Sequence, residues 1–580
     1  MASDPFDTMD AIDHDRLLAT ACADRDDRYD SDQGLLTKPF DGGPGYHTAL
    51  DPDAVDVVHP TRESLGYALA LLDVGGRARR DRAERIIATV LARQDRDETN
   101  DTYGIWPWYA EEPLSAMDPP DWNWADFCGK RLLLIERRHG DSLSGELRER
   151  IETAVCAAAD AIVERDVGPG YTNIAIMGAF VTLIAGETYD VPDLRSYGAA
   201  RLERFDTHVS RFDGFNEFNS PTYTRVAIVE LGSLATETET TTAGARADRL
   251  LERAWTTVAD HYHPPTDQWA GPHARSYDSM LTATDRSFLD IGTNRTLDRL
   301  DPEDIQYDPL WYGNDFSCPP ELRSRFERLD TRALDDHYDD AADRPLTART
   351  YLDETVALGT FDRSSCWTQR RPVIAYAPSD AGPVAIRLRV LKDGYDLAAA
   401  QCTAAQYRRR ALVGINVATD GGDTHISLDG IEGTLSCSDL RVRLEIDGAT
   451  DAVTLPTAAE VAVGNRFEIE LGETTASCLV PAARFGSQDI ETAVTNSNDT
   501  TAVDVVFHTG EQRRFALEDV GDVAVGLAIE FGRDVSAAAT WTDDALQLES
   551  DQLGVQIPTT PAPEADLRAN NRTTMPPHDA

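Results

Sequence analysis

Between residues 60 and 290 apolar residues recur at three- and four-residue spacing. The runs RESLGYALALLDV (62–74), RAERIIATVLARQ (82–94), FCGKRLLLIERR (127–138) and LRERIETAVCAAADAIVE (147–164) show it. So do IAIMGAFVTLIAGE (174–187), YGAARLERF (197–205), YTRVAIVELGSLA (223–235) and ADRLLERAWTTVADHY (247–262). Each predicts a helix with one face, or all faces, buried. The runs fall into pairs separated by short polar or glycine-containing breaks. Glu63, Asn123, Asn173 and Tyr223 lie near the starts of the first helices, and the last three are 50 residues apart each time. A helix–turn–helix period of that size predicts stacked hairpins, as an open solenoid or a closed ring. On a ring, Asn123, Asn173 and Tyr223 share one rim.

From about residue 346 the period becomes two. VIAYAP, VAIRLRVL, ALVGINVAT, HISLDGIEGTL, LRVRLEIDG, RFEIELGE, TAVDVVFHTG and VAVGLAIEFG alternate apolar and polar residues between DGG, DG, GE and TG turns. Many short strands of this kind predict an antiparallel β-sandwich. At 580 residues the chain is too long for one core. The expected division is a helical domain over 1–335 that carries the chemistry, a Pro- and Asp-rich connector over 291–345, a sandwich over 346–550, and a disordered polar tail over 551–580. The fold class is thus α then β: an incomplete (α/α) toroid of hairpins followed by a sandwich.

Charge changes the picture of the surface. Lys plus Arg number 55 against 101 Asp plus Glu, a formal net charge of −46, spread over both halves. The only lysines are Lys38, Lys130 and Lys392. At molar salt the Debye length is only ~3 Å, so such a surface reads as one kept hydrated in concentrated salt, as in acidic archaeal-type proteomes. It repels phosphate, so no nucleic-acid partner is expected, and an anionic glycan would need a locally basic site. The opening MASDPFDTMDAIDHDRLL has no basic n-region, apolar core or twin Arg, and no apolar run reaches ~18 residues. The expectation is a cytoplasmic protein without a membrane partner. The eight cysteines are scattered without CxxC spacing, which suits buried free thiols.

Four segments are too polar and aromatic for plain structural helices. The first holds Trp106, Trp108, Trp122, Asn123 and Trp124. Ring faces match the apolar faces of sugars, but a staple packing the loop on the helices would use the same residues. The second, Gly170-Tyr171-Thr172-Asn173, also reads as a helix N-cap. The third runs from Asp213 to Tyr223. Ser220 as N-cap with Pro221 in the first turn explains part of it, but not the density of Asn216, Glu217, Asn219 and Tyr223. The fourth, Trp269 to Asp278, places His273, Arg275 and Tyr277 behind Gly-Pro, a poor core sequence and a good anion site.

WNWADFCGKRLLLIERR (122–138) resembles the opening of a toroid helix in chondroitin and hyaluronate lyases. The order that follows is similar to theirs: an Asn at a helix start, DG-F…Y, G-x-x-x-R, then a β domain. The stretch Gly359-Thr-Phe361…Cys366-Trp367-Thr-Gln369-Arg370-Arg371-Pro372 resembles the sandwich opening of heparinase II/III-type and alginate lyases. The resemblance implies β-elimination at a uronic acid. It implies Asn173 as neutraliser of the substrate carboxylate, Tyr223 as acid/base, and His273 and Arg275 as carboxylate-binding or second-base groups. Trp106, Trp108, Trp122, Asn123, Trp124, Glu217, Asn219, Tyr277, Arg370 and Arg371 are then the substrate-binding set. Three features depart from that pattern: Ile174 follows Asn173, the segment 213–222 before Tyr223 holds no His, and no export signal is visible where such lyases are usually secreted.

Two other functions fit. A glycoside hydrolase would need paired carboxylates, with Glu217 and either Asp213 or Asp278 as candidates. A non-catalytic glycan-binding protein would need no convergence of Tyr223, His273 and Arg275. No cofactor is expected. His261 and His263 lack ligand spacing, and Asp423 with His425 is the one hint of a structural metal in the β part.

Overall fold

The computed structural model describes residues 12–42, 46–338, 345–421, 430–497 and 499–577. The chain forms two compact units, neither continuous in sequence. One comprises residues 1–211, 225–255 and 283–319, the other 212–224, 256–282 and 320–580. This corrects the expected division at residue 335, because two segments from within the helical half belong to the β unit.

In the first unit, Thr61–Val74 pairs with Arg77–Leu91, Trp124–His139 with Gly145–Arg165, and Thr172–Thr188 with Pro192–Val209. Tyr223–Glu237 and Thr241–His261 continue the series. First helices are buried over most of their length, and Thr172–Thr188 has no exposed face until its last turn. The second helices bury only a stripe. First helices thus line the inside of an incomplete ring and second helices its outside, the (α/α) toroid arrangement. Gly186 and Gly198 let one hairpin close tightly: a Cβ at either would lie 2.3 or 2.4 Å from backbone of the facing helix. Lys130 ties the inner helices together. Its Nζ donates to Glu230 Oε2 at 2.6 Å and Ser233 Oγ at 3.0 Å and sits over the Phe180 ring. An apolar core accepts the cation because the carboxylate comes with it.

The second unit is mainly β in its longest segment, and every pairing between its named strands is antiparallel. A nine-stranded and a seven-stranded sheet share a core that includes Val384, Ile386, Leu388 and Val390 of one and Val413, Val525 and Leu527 of the other. On the other face of the seven-stranded sheet, Leu412, Ala524 and Ala528 pack against Leu546, Leu548, Val555 and Ile557 of a four-stranded sheet. The sandwich therefore has three layers. The tail expected to be disordered supplies part of the third, as Leu553–Pro558, Glu564–Asn570 and Arg572–Thr574 are ordered elements. The alternation Leu553, Val555, Ile557 buries one face of that strand. The connector over 291–345 is likewise corrected: it holds the helix Pro320–Glu327 and the strand Arg332–Tyr338, which pairs with Leu346–Asp353 in the nine-stranded sheet. The start of the expected strand HISLDGIEGTL, with Asp423 and His425, lies outside the described residues.

The other face of the nine-stranded sheet carries the two inserted segments. Phe218, Ala270 and Ala274 pack on Leu346, Ala348, Phe361, Ile374 and Tyr376. Among the described residues the eight cysteines are free, all buried except the half-buried Cys156, and no helix is long and apolar enough to cross a membrane.

Candidate functional site

The side chains of Glu217, Tyr223, Arg275, Tyr277 and Gln369 meet where segments 212–224 and 256–282 lie on the sheet. Gly359 makes the approach possible, since a Cβ there would lie 2.0 Å from the Gly271 carbonyl oxygen and 2.3 Å from Pro272 N. His273 N donates to Arg371 O at 3.3 Å, Arg371 N to His273 O at 2.9 Å and Ser276 N to Gln369 O at 2.6 Å. These bonds run residues 273–276 alongside 369–371. Asn219, in the left-handed region at φ 48°, fastens the other segment. Its amide donates to Ala270 O at 2.8 Å and Pro272 O at 3.0 Å, and its Oδ1 accepts from Trp269 Nε1 at 2.5 Å. Ser220 then caps the helix Tyr223–Glu237. Its Oγ accepts from Tyr223 N at 2.9 Å and donates to Arg275 O.

Arg275 is the hub of the cluster that results. Its Nη1 donates to Glu217 Oε1 at 2.7 Å, its Nε and Nη2 to Gln369 Oε1 at 3.0 and 2.8 Å, and its Nη2 to the Tyr223 hydroxyl at 2.9 Å. The guanidinium also lies 4.0 Å from the Tyr223 ring centroid and 5.4 Å from that of Trp367. Tyr223 and Tyr277 hydroxyls are 2.8 Å apart. Tyr277 is exposed, at 53%, whereas Glu217 is buried. Burial drives the Tyr223 phenol well above the ordinary tyrosine range, with Arg275 pulling the other way and Tyr277 and Glu217 adding to the rise. Tyr223 is therefore a neutral phenol, in contact with one cationic donor and one exposed phenol. Such a group can pass a proton.

Other residues named from the sequence are placed differently. His273, expected to face substrate, is 1% exposed. Its Nδ1 donates to Asn219 O at 2.5 Å, Tyr376 OH lies 3.5 Å from its Nε2, and burial takes its pKa down to about 3. Its ring braces the loop as a neutral imidazole. Asn219 is equally committed to backbone. Arg371 is buried and donates to Thr368 O and Tyr277 O, and burial lowers its pKa to about 10. Arg370 is half-buried and donates to Ser365 Oγ at 3.1 Å. Gln369, absent from the candidate set, is the acceptor that fixes Arg275. Its position inside CWTQRRP was the available signal. His261 and His263 are buried among structural partners, Thr257 O for the first and Thr266 and Asp353 O for the second.

In the first unit, Trp106 is fully buried and donates to Val90 O at 3.1 Å, and Trp124 is buried and donates to Thr61 Oγ1 at 3.1 Å. Both are staples and offer no free face to a sugar. Trp108 is half-buried, stacks on Trp124 at 5.1 Å and donates to Asp121. Trp122 and Asn123 are half-buried. Asn123 Oδ1 accepts from Arg165 at 2.7 Å, and its amide lies 3.4 Å from Tyr171 OH. Asn173, in the first turn of Thr172–Thr188, is buried, and its Oδ1 accepts from Ile174 N at 3.0 Å.

A toroid of helical hairpins with an antiparallel β-sandwich is the class of fold that frames these residues. A family model described as a domain of unknown function (DUF8769) matches residues 19–286. No curated protein matches the chain. Among solved structures, the chondroitin AC lyase of Streptomyces coelicolor A3 in complex with chondroitin sulphate is similar at 11% identity over 96% of this chain and 86% of that one, with a TM-score of 0.47. Heparinase III is similar at 11% identity over 86% and 82% of the two chains, TM-score 0.42. A heparan sulfate lyase mutant from Pedobacter heparinus is similar at 10% identity over 94% of each chain, TM-score 0.36. At these identities and TM-scores the likeness says nothing of activity.

Proposed function

We propose that this chain cleaves a uronate-containing glycan by β-elimination, with Tyr223 as the proton-transferring residue. One observation carries the reading: the Tyr223 hydroxyl is held between the Arg275 guanidinium and the exposed Tyr277 hydroxyl. In β-elimination the C5–H bond breaks, its electron pair forms the C4–C5 double bond, and the C4–O bond breaks as its oxygen takes a proton. Two phenols in contact can supply both proton movements together. One oxygen takes the C5 proton as its own proton passes to the other, whose proton goes to the leaving oxygen. The relay needs no lasting phenolate, which suits a phenol whose burial favours the neutral form. Arg275 stabilises the negative charge that develops on the Tyr223 oxygen. Arg370, in the same unit as Tyr223 and Arg275, is proposed as a further substrate contact. His273 is left out because its ring is inside the loop it braces.

The paired-carboxylate alternative draws less from the same geometry. Glu217 is ion-paired to Arg275, and Asp213 accepts from His337 N at 2.8 Å. The test is incubation at high salt with chondroitin, alginate and heparin-type polymers and oligomers, reading both ultraviolet absorbance and reducing ends. Absorbance from an unsaturated uronate supports elimination. Reducing ends without absorbance establish hydrolysis instead, and binding without either product establishes a glycan-binding protein.

A further inference from the structure

In the second unit, a cavity of about 700 Å³ opens beside the hairpin loops at 407–410 and 550–553 and the end of the strand Val523–Phe531. Its size is that of sites enclosing small organic ligands. Arg408, Arg409, Arg410 and Arg533 line it, together with Tyr351, Tyr407 and Phe531. Glu530 and Asp551 are the carboxylates of the lining. Four arginines thus line the cavity against three carboxylates, Glu530 and Asp551 of the lining and Asp353 behind Arg409, in a chain whose acidic residues outnumber its basic ones 101 to 55.

The backbone shows that the arginines are not there for the turn. Tyr407 pairs with Arg410 across a two-residue hairpin loop, Arg408-Arg409. Arg408 has φ 51°, a position that glycine or asparagine fills without strain. The Arg408 guanidinium lies 5.3 Å from the centroid of the Tyr407 ring, so the side chain sets a cation beside an aromatic face. The others are held in set orientations. Arg409 Nε donates to the buried Asp353, and Arg410 Nε donates to Glu530 Oε2 at 2.7 Å while its Nη1 reaches Asp551 and, at 3.3 Å, Ser550. Tying the Nε edge of each fork to a carboxylate preorganises the guanidinium. Arg408 and Arg533 are exposed at the mouth. Planar guanidinium groups beside tyrosine rings recognise carboxylates and sulfate esters on a ring with an apolar face.

We infer that this cavity is a second glycan site, separate from the Tyr223 cluster, which binds an acidic sugar through its carboxylate or sulfate groups. The sugar part of this assignment rests on the uronate reading above; the anion part rests on the cavity alone. The site would hold a polymer on a protein whose remaining surface repels it.

The test uses the full chain carrying Tyr223→Phe, so that ligand is not consumed. Calorimetric titration with size-fractionated chondroitin sulphate, heparin and alginate oligosaccharides is compared with the same protein also carrying Arg408→Asn and Arg533→Gln. Asparagine suits the positive φ and both replaced residues are exposed, so the fold is kept; an unchanged melting temperature checks this. The expected result is binding of at least one oligosaccharide that weakens by about tenfold or more in the arginine variant, as loss of charge-assisted contacts does, and weakens with rising salt. Equal affinity in both proteins would overturn the site, as would no binding to either, or binding by inorganic phosphate as tight as that of any sugar. Failure of the uronate reading is seen separately, as absence of unsaturated product from the wild-type chain.

Discussion

Arg275 makes its contacts with protein groups: Glu217, Gln369, Tyr223 and the ring of Trp367. It therefore tunes a phenol and does not wait as an open anion clamp. The pattern of residues could not reveal this. Segments 213–223 and 269–278 are dense in polar side chains, but the same density serves two purposes. Asn219 and His273 hold backbone carbonyls, and Tyr223 and Tyr277 hold each other's hydroxyls. Sequence shows which groups are near in the chain and not which turn inward. The aromatic loop makes the same point, with Trp106 buried and Trp122 half-exposed. Buried charge elsewhere gives a residue-scale prediction. Asp126 is buried with an unpartnered Oδ1, and burial lifts its pKa to about 7. A raised carboxyl pKa in the fold means stability that is present below the unfolded pKa of about 4 and lost as pH rises through the folded value. Asp126→Asn cannot ionise. It should be near neutral in effect below about pH 4 and more stable than wild type by about 1–3 kcal/mol above pH 7. Thermal melts across that range check this, and a gain independent of pH would contradict it.

At the scale of elements, helical and strand periods were legible because each follows from burying one face. The 50-residue spacing marked helix starts, and the helices begin at Trp124, Thr172 and Tyr223. Boundaries between units were not legible. Residues 212–224 and 256–282 flank helical runs yet pack on a sheet whose first strand begins only at Arg332, which no local period reports. The ordered tail was missed because Pro and polar residues dominate its composition, while the alternation of Leu553, Val555 and Ile557 is only one strand long. Gly359 links an element to the site. Gly359→Ala should push the Gly271–Pro272 backbone off the strand, destabilise the protein by about 1–3 kcal/mol and displace Arg275 from Tyr223. The expected result is activity reduced far beyond the loss of folded protein, while Gly145→Ala, where a Cβ meets nothing within 4 Å, leaves the proton-transfer cluster in place. Full activity in Gly359→Ala would show that the close approach does not position the site.

At the scale of the whole molecule, the charge of −46 sets the conditions under which everything else is measured. Self-repulsion weakens as the Debye length falls from ~10 Å at 0.1 M to ~3 Å at 1 M salt. The melting temperature should rise with salt over that range, and by more with chloride salts than with an equal osmolarity of sugar. A flat or falling curve would remove the reading of this surface as salt-adapted. Substrate binding works against the same field, so turnover of an acidic glycan should also need salt, up to the point where ion pairing with the substrate is itself screened.

The most direct measurement is the initial rate of unsaturated-uronate formation by Tyr223→Phe against wild type, on one cleaved substrate in high salt. Removal of one hydroxyl leaves the ring over Arg275 and should leave the melting temperature within a few degrees. The expected result is a rate lower by about 10²-fold or more, the scale of losing a positioned acid–base group, with substrate still bound. A folded Tyr223→Phe protein that forms the unsaturated product at the wild-type rate would contradict the assignment of this residue, and with it the proton path through the Tyr223–Tyr277 pair.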